Sequence, residues 1–159
     1  MQVKFETLRF GEIEVAEDQI ITFEHGVPAF EELRQFVIIR EGEDIPFSHL
    51  QSLENGELAF ILVNPFLFYP SYEFKLPESV VDEMEIHSDQ DVAIWGIVTV
   101  TEQLINATIN LLAPVVINVV TRQGRQIILN DTSYTTKHRL LPESVSISRR
   151  SEGDGHART

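Results

Sequence analysis

With cysteine absent, the side chains able to do chemistry in this sequence are carboxylates, histidines and hydroxyls. Glu12/Glu14 and Glu83/Glu85 are close acidic pairs. A glycosidase uses such a pair, one acid protonating the leaving oxygen while the other acts as base or nucleophile. In a chain with 25 aspartates and glutamates, pairs like these also arise by chance. No serine lies in the Gly-x-Ser-x-Gly context that presents a nucleophilic hydroxyl on a sharp turn. Histidines 25, 49, 87, 138 and 156 stand singly, with no pair at metal-ligand spacing. His25, beside Glu24 and ahead of Gly26 and Pro28, reads as turn chemistry rather than as a ligand. No glycine-rich phosphate loop occurs. The sequence thus predicts no catalytic residue, no metal ligand and no cofactor.

Partner-binding chemistry is better represented. Between Pro65 and Tyr72 lie Phe66, Leu67, Phe68, Tyr69, Pro70 and Ser71, the most unusual local composition in the chain. Two prolines bracket large apolar side chains, so a regular central strand is not expected there. The stretch reads either as a lid on the core or as a surface for a partner. In the second reading Phe66, Phe68, Tyr69 and Tyr72 supply anchors, with at least one of them turned into the core. Outward carboxylates, Glu12 and Glu14 among them, are the candidates for steering a basic partner.

The charge is lopsided. Net charge is −13, and residues 1–102 hold 21 acids against 5 bases. This argues against direct nucleic-acid binding, while either a plain solvated surface or a basic protein partner fits it. Lys137/Arg139 and Arg149/Arg150 are too few as RNA contacts and lack interleaved aromatics. The first residues, Met1 to Glu6, place charge where a signal peptide needs an apolar run. The longest apolar stretch, Leu111 to Val120, is broken by Pro114 and Asn118 and is too short for a bilayer span. These features predict a cytoplasmic protein with no membrane association.

The elements that must position these residues are mostly strands. Asn110 to Asp131 organises the rest: two β-branched runs flank Gln123-Gly124, which reads as a two-residue hairpin loop with Gly124 at positive φ. Val120 would then face Ile127, and Val119 would face Ile128. Both faces of that ribbon are apolar, so the rest of the chain must wrap it. Leu58 to Val63 and Val92 to Val100 read as buried strands, and Glu12-Ile13-Glu14-Val15 alternates with its glutamates outward. Phe30 and Leu33 suggest a helical turn. Pro77 to Met84 reads as a short helix with Val80, Val81 and Met84 on one face, and Thr101 reads as the cap of a turn through Leu104 and Ile105. About ten short strands and one or two short helices predict a mostly β fold, a compact antiparallel β-barrel-like single domain. Its core should include Phe60, Leu62, Val115, Ile117, Val119 and Ile127. The domain is expected over residues 1–141, with 142–159 a mobile tail.

Several segments together resemble one family, the flagellar assembly factor FliW. They are Phe10 to Glu14, Ile21 to Glu31, Leu50 to Glu54, Leu58-Ala59-Phe60 leading to Asn64-Pro65-Phe66, Ile97 to Val100, Asn110 to Asn118, and Gly124-Arg125-Gln126 through Asn130-Asp131. The likeness runs in order over roughly residues 3–140, and Ala29 stands where the family commonly has glycine. It implies a β-barrel-like protein with two partners: flagellin, and CsrA, a small dimeric RNA-binding repressor of flagellin translation. Holding CsrA off its message, and releasing it when flagellin accumulates, is a partner switch that requires no catalytic residue. The alternative from the residues alone is a small-ligand-binding or hydrolytic acidic β-barrel with an acidic pair in its mouth. A filled barrel would count against it.

Overall fold

Runs of β-branched and aromatic residues do become strands, and asparagines and glycines decide where they stop. The structure is a computed structural model and describes residues 2–40, 42, 44–130 and 132–141. The expected tail, 142–159, lies outside the described residues. Strands β1 (Gln2–Thr7) and β2 (Gly11–Ala16) form a separate hairpin. Then follow β3 (Ile21–Thr22), β4 (Gln35–Arg40), β5 (Ser48–Ser52), β6 (Ala59–Val63), β7 (Val92–Thr99), β8 (Thr108–Asn118), β9 (Gln123–Gln126) and β10 (His138–Arg139). Two short helices, α1 (Pro65–Phe68) and α2 (Glu78–Glu83), separate β6 from β7.

Strands β3 to β9 close a seven-stranded barrel. Each joint between neighbours in sequence is antiparallel. An odd number of alternating strands brings its first and last members in the same direction. The closing joint, β3 with β9, is accordingly parallel, and rests on Thr22 against Gln123. β8 runs eleven residues because its free edge serves two strands, β9 along Val115 to Asn118 and β10 along Thr108 and Ile109. Between those halves Leu111 to Pro114 bulge opposite Gly96. Pro114 cannot donate to a ladder, and the bulge relieves it of that task. The Asn110 side chain accepts the Leu112 and Ala113 amides at 3.0 and 2.9 Å in place of a partner strand.

Alternation sorts the side chains into an interior and an outer layer. Ile21, Phe23, Phe36, Leu50, Leu62, Val115 and Ile117 fill the barrel, with Trp95 and Ile97 packed against them. The opposite faces of β6, β7 and β8 are buried too. Val63, Val98, Ile109 and Leu111 pack with Tyr72 and Leu140, while Val116 packs with Val80, Met84, Ile127 and Leu129. The helices and the chain after β9 are therefore the second layer that the two-faced strands demand. The β1–β2 hairpin lies outside β5, with Leu8 N donating to Gly56 O at 2.9 Å and the Phe10 ring on edge to His49.

The turn after β8 corrects the sequence expectation. Strand β8 ends at Asn118, and a four-residue turn, Val119 to Arg122, precedes β9. Asn118 causes the early stop. Its Oδ1 accepts the Val120 and Thr121 amides at 2.8 and 3.1 Å, while its Nδ2 donates to Met84 O at 2.8 Å. Arg122 takes the positive φ, 64°, that Gly124 was expected to have. Gly124 instead sits within β9 opposite Ile117, where a Cβ would lie 2.6 Å from Phe23 Cζ. Val119 consequently leaves the core at 41% exposure, and Val120 and Ile128 are exposed as well. Phe60, Leu62, Val115, Ile117 and Ile127 do pack in or against the core.

Smaller differences follow from local bonding. Thr101 does not cap the turn at Leu104–Asn106; Gln103 precedes it without a side-chain cap. Phe30 to Leu33 close a bonded turn, Leu33 N to Phe30 O at 2.9 Å, rather than a helix. Ala29, at the position of a commonly glycine turn, has φ 75°.

Candidate functional site

The segment from Asn64 to Tyr72 is helical at first because Asn64 caps it. Asn64 Oδ1 accepts the Phe66 amide at 2.9 Å, and Pro65 occupies the first turn, where no amide donor is needed. Pro65 is buried, so α1 is fixed by its base and turns the following side chains outward. Phe66 is 40% exposed and Leu67 is 65% exposed. Phe68 and Tyr69 turn back and pack against the outer cluster. Tyr69 donates its hydroxyl to the Arg139 carbonyl, and its ring stands on edge to His138. Partial burial raises the Tyr69 pKa, against the pull of nearby Arg139. Tyr72 is fully core: its hydroxyl donates to Leu111 O at 2.8 Å, and burial, aided by Tyr134, pushes its pKa well above the ordinary phenol range.

One face of this segment opens on a groove. Phe66 and Tyr72, with ring centroids 5.7 Å apart, form one wall. Phe74, Leu76 and Ile94 also line the groove, as do Val81 of α2 and Ile86. The groove holds about 600 Å³, and Glu73, Lys75, His87 and Asp89 also line it. Of the four aromatics that the sequence offers, Phe66 and Tyr72 line the groove, whereas Phe68 and Tyr69 do not and pack against the cluster that contains Tyr72. Val80 and Met84 face the core, whereas Val81 faces the groove, so the three do not act as one face. Sequence patterning does not mark Phe74, Leu76, Ile86 or Ile94 as site residues and assigns Val81 to a helix face with Val80 and Met84; their convergence is visible only once the neighbouring elements are known.

The acidic pairs have other surroundings. Glu12 and Glu14 are exposed on β2, opposite Glu6 and Lys4 of β1, and do not line the groove. Glu83 bonds both the His25 ring and the Arg125 guanidinium, tying α2 to the turn after β3 and to β9. The His25 hydrogen bond foremost, with help from Arg125, holds the Glu83 carboxyl below its usual range. Neither pair stands in the barrel mouth, and the interior is filled with Phe23, Phe36, Leu50 and Leu62. That arrangement disfavours the hydrolytic alternative. Among the described residues no group of three or more His, Cys, Asp or Glu is placed to hold a metal ion. No described helix is long and apolar enough to cross a membrane.

Comparison with known proteins gives a consistent result. The family model described as FliW protein matches residues 4–140. The flagellar assembly factor FliW of Geobacillus thermodenitrificans is 44% identical over 144 residues, spanning 91% of this chain and 99% of its own. That of Caldicellulosiruptor bescii is 48% identical over 132 residues, 83% of this chain and 86% of its own. That of Bacillus subtilis is 46% identical over 134 residues, 84% and 94% respectively. A crystal structure of the flagellar assembly factor FliW superposes with a TM-score of 0.84 at 43% identity, covering 89% of this chain and 99% of that one.

Proposed function

The chain belongs to the FliW family of flagellar assembly factors, and on that basis we propose that it is a cytoplasmic, non-enzymatic partner-switch protein for flagellin and a CsrA-type RNA-binding regulator. Free protein holds the regulator away from flagellin message. Accumulating flagellin takes the protein up and returns the regulator to its message, by mass action alone.

The observation that carries the flagellin half is the groove between α1 and α2. Flagellin's terminal segments are amphipathic, and an amphipathic helix lays its apolar face into an apolar groove. Phe66 offers an exposed ring in the groove that Tyr72, Phe74 and Leu76 also line, on a backbone stiffened by proline and a capped turn. That stiffness lowers the ordering cost of binding. The regulator half draws support from charge. A body of net charge −13 beside an RNA-binding surface raises the cost of phosphate there, and Glu6, Glu12 and Glu14 form an exposed acidic face on the β1–β2 hairpin.

The test separates folding from binding. Phe66→Ala should lose on the order of 2 kcal/mol of flagellin affinity with little change in stability. Tyr72→Ala should instead lose roughly 3–5 kcal/mol of stability, as a buried aromatic. Unchanged flagellin affinity in Phe66→Ala would place the flagellin surface elsewhere.

A further inference from the structure

A second groove, of about 460 Å³, opens at the barrel mouth where β4 and β6 end and β5 begins. Ile38 and Trp95 form its floor from the interior side, and Ile45, Pro46 and Leu67 its collar. Leu67 and Ile45 are 65% and 45% exposed, a considerable apolar area left to water at one spot. Trp95 together with Arg40 supplies the residue types that dominate binding energy at protein interfaces.

Two features distinguish this groove from the first. The first is α1, a single capped turn whose consecutive residues serve opposite sides: Phe66 lines the α1–α2 groove, and Leu67 lines the mouth. The second is charge. Among the described residues Arg40 is the one cation lining the mouth and makes no ion pair, and it stands on a chain of net charge −13. Asp44 lines the same groove and repels a second carboxylate, so a single acid beside an apolar face suits the site better than an acidic run.

The geometry points to the barrel mouth as a second protein-docking site, for an amphipathic segment that seats apolar side chains against Trp95 and Leu67 and one carboxylate on Arg40. It stands apart from the flagellin groove and does not rest on the flagellin reading.

Trp95 is the chain's only tryptophan, so its emission reads the mouth directly. The full chain is titrated with two blocked helical peptides sharing one leucine face, one with a single glutamate beside that face and the other with lysine in its place. Overall charge favours the lysine peptide; the mouth favours the glutamate peptide. The expected result is a blue shift of Trp95 emission and binding of the glutamate peptide about three- to fivefold tighter, the range of an exposed ion pair. Arg40→Glu should invert that order, Leu67→Ala should weaken both peptides, and Phe66→Ala should change neither. Equal or tighter binding of the lysine peptide, a silent Trp95, or Phe66→Ala weakening binding as much as Leu67→Ala would each overturn the assignment. Denaturation midpoints of the variants confirm that folding is intact, since Arg40 and Leu67 are both exposed.

Discussion

Gly124 is required for space rather than for backbone freedom, and substitution there separates the two causes. Its strand geometry accepts any residue's φ, but a Cβ would lie 2.6 and 2.8 Å from Phe23 Cζ and Cε1 and 2.9 Å from Ile21 Cγ2. Both neighbours are completely buried, so neither side chain can swing into solvent. Forcing one methyl into such a core costs about 1–3 kcal/mol. Gly124→Ala should therefore lower the urea midpoint by roughly 1 M, given a slope of about 1–3 kcal/mol/M, with the slope itself unchanged. Gly124→Val should cost more. Gly124→Asn is the discriminating variant. At a positive φ asparagine is tolerated better than alanine; in this packed site it should be worse, since it buries an amide as well. Phe23→Leu removes the clashing ring edge, so the double variant with Gly124→Ala should be more stable than the two single losses predict, by at least 0.5 kcal/mol. An unchanged midpoint in Gly124→Ala, or additive losses in the double variant, would refute the packing argument.

Three further outcomes follow from other contacts. Asn118→Ala should cost about 2–3 kcal/mol in chemical denaturation, because the Val120 and Thr121 amides and the Met84 carbonyl lose their partner where the structure is partly closed to water. Glu83 has its folded-state pKa lowered, chiefly by His25, so its contribution to stability is present above the ordinary glutamate pKa and fades as pH falls through the lower folded value. The stability difference between native protein and Glu83→Gln should accordingly shrink on acidification below about pH 4, and a difference that persists at the acid limit would contradict it. Association with a CsrA-type regulator should slow as salt rises, with dissociation less affected, and Glu12→Lys with Glu14→Lys should slow it further if the hairpin face meets that partner. Stopped-flow rates independent of ionic strength would remove the steering argument.

Much of the barrel was legible because period-two and β-branched patterns are local. Ala59 to Val63 and Val92 to Thr99 need no tertiary knowledge to read as strands. The end of β8 was not legible in the same way. Val119 and Val120 continue an apolar run, and the strand stops before them because Asn118 turns its side chain to the Val120 and Thr121 amides while being anchored to the Met84 carbonyl at the end of α2, a distant partner that no local pattern reveals. A packing glycine and a turn glycine also look alike in sequence, so Gly124 draws the expected turn three residues too far along the chain. Around the candidate groove, the aromatic density of Phe66 and Tyr72 was visible. Val81, within α2, and Ile86, just after it, lie beyond Pro77, and no local period couples them to α1.

The odd strand count has a consequence for how the barrel comes together. Each of the antiparallel joints links strands adjacent along the chain, so a meander can grow joint by joint, the widest step being β6 to β7 across α1 and α2. The closing joint is different in kind. It unites Thr22 with Gln123, about a hundred residues apart, through a strand of two residues and the 2.9 Å bond from Thr22 N to Arg122 O. The seam is thus the natural last step of assembly and the first place to breathe. Parting there leaves the nucleated meander intact while briefly exposing Phe23 and Gly124 to water, which makes the seam a local-opening unit within an otherwise cooperative sheet.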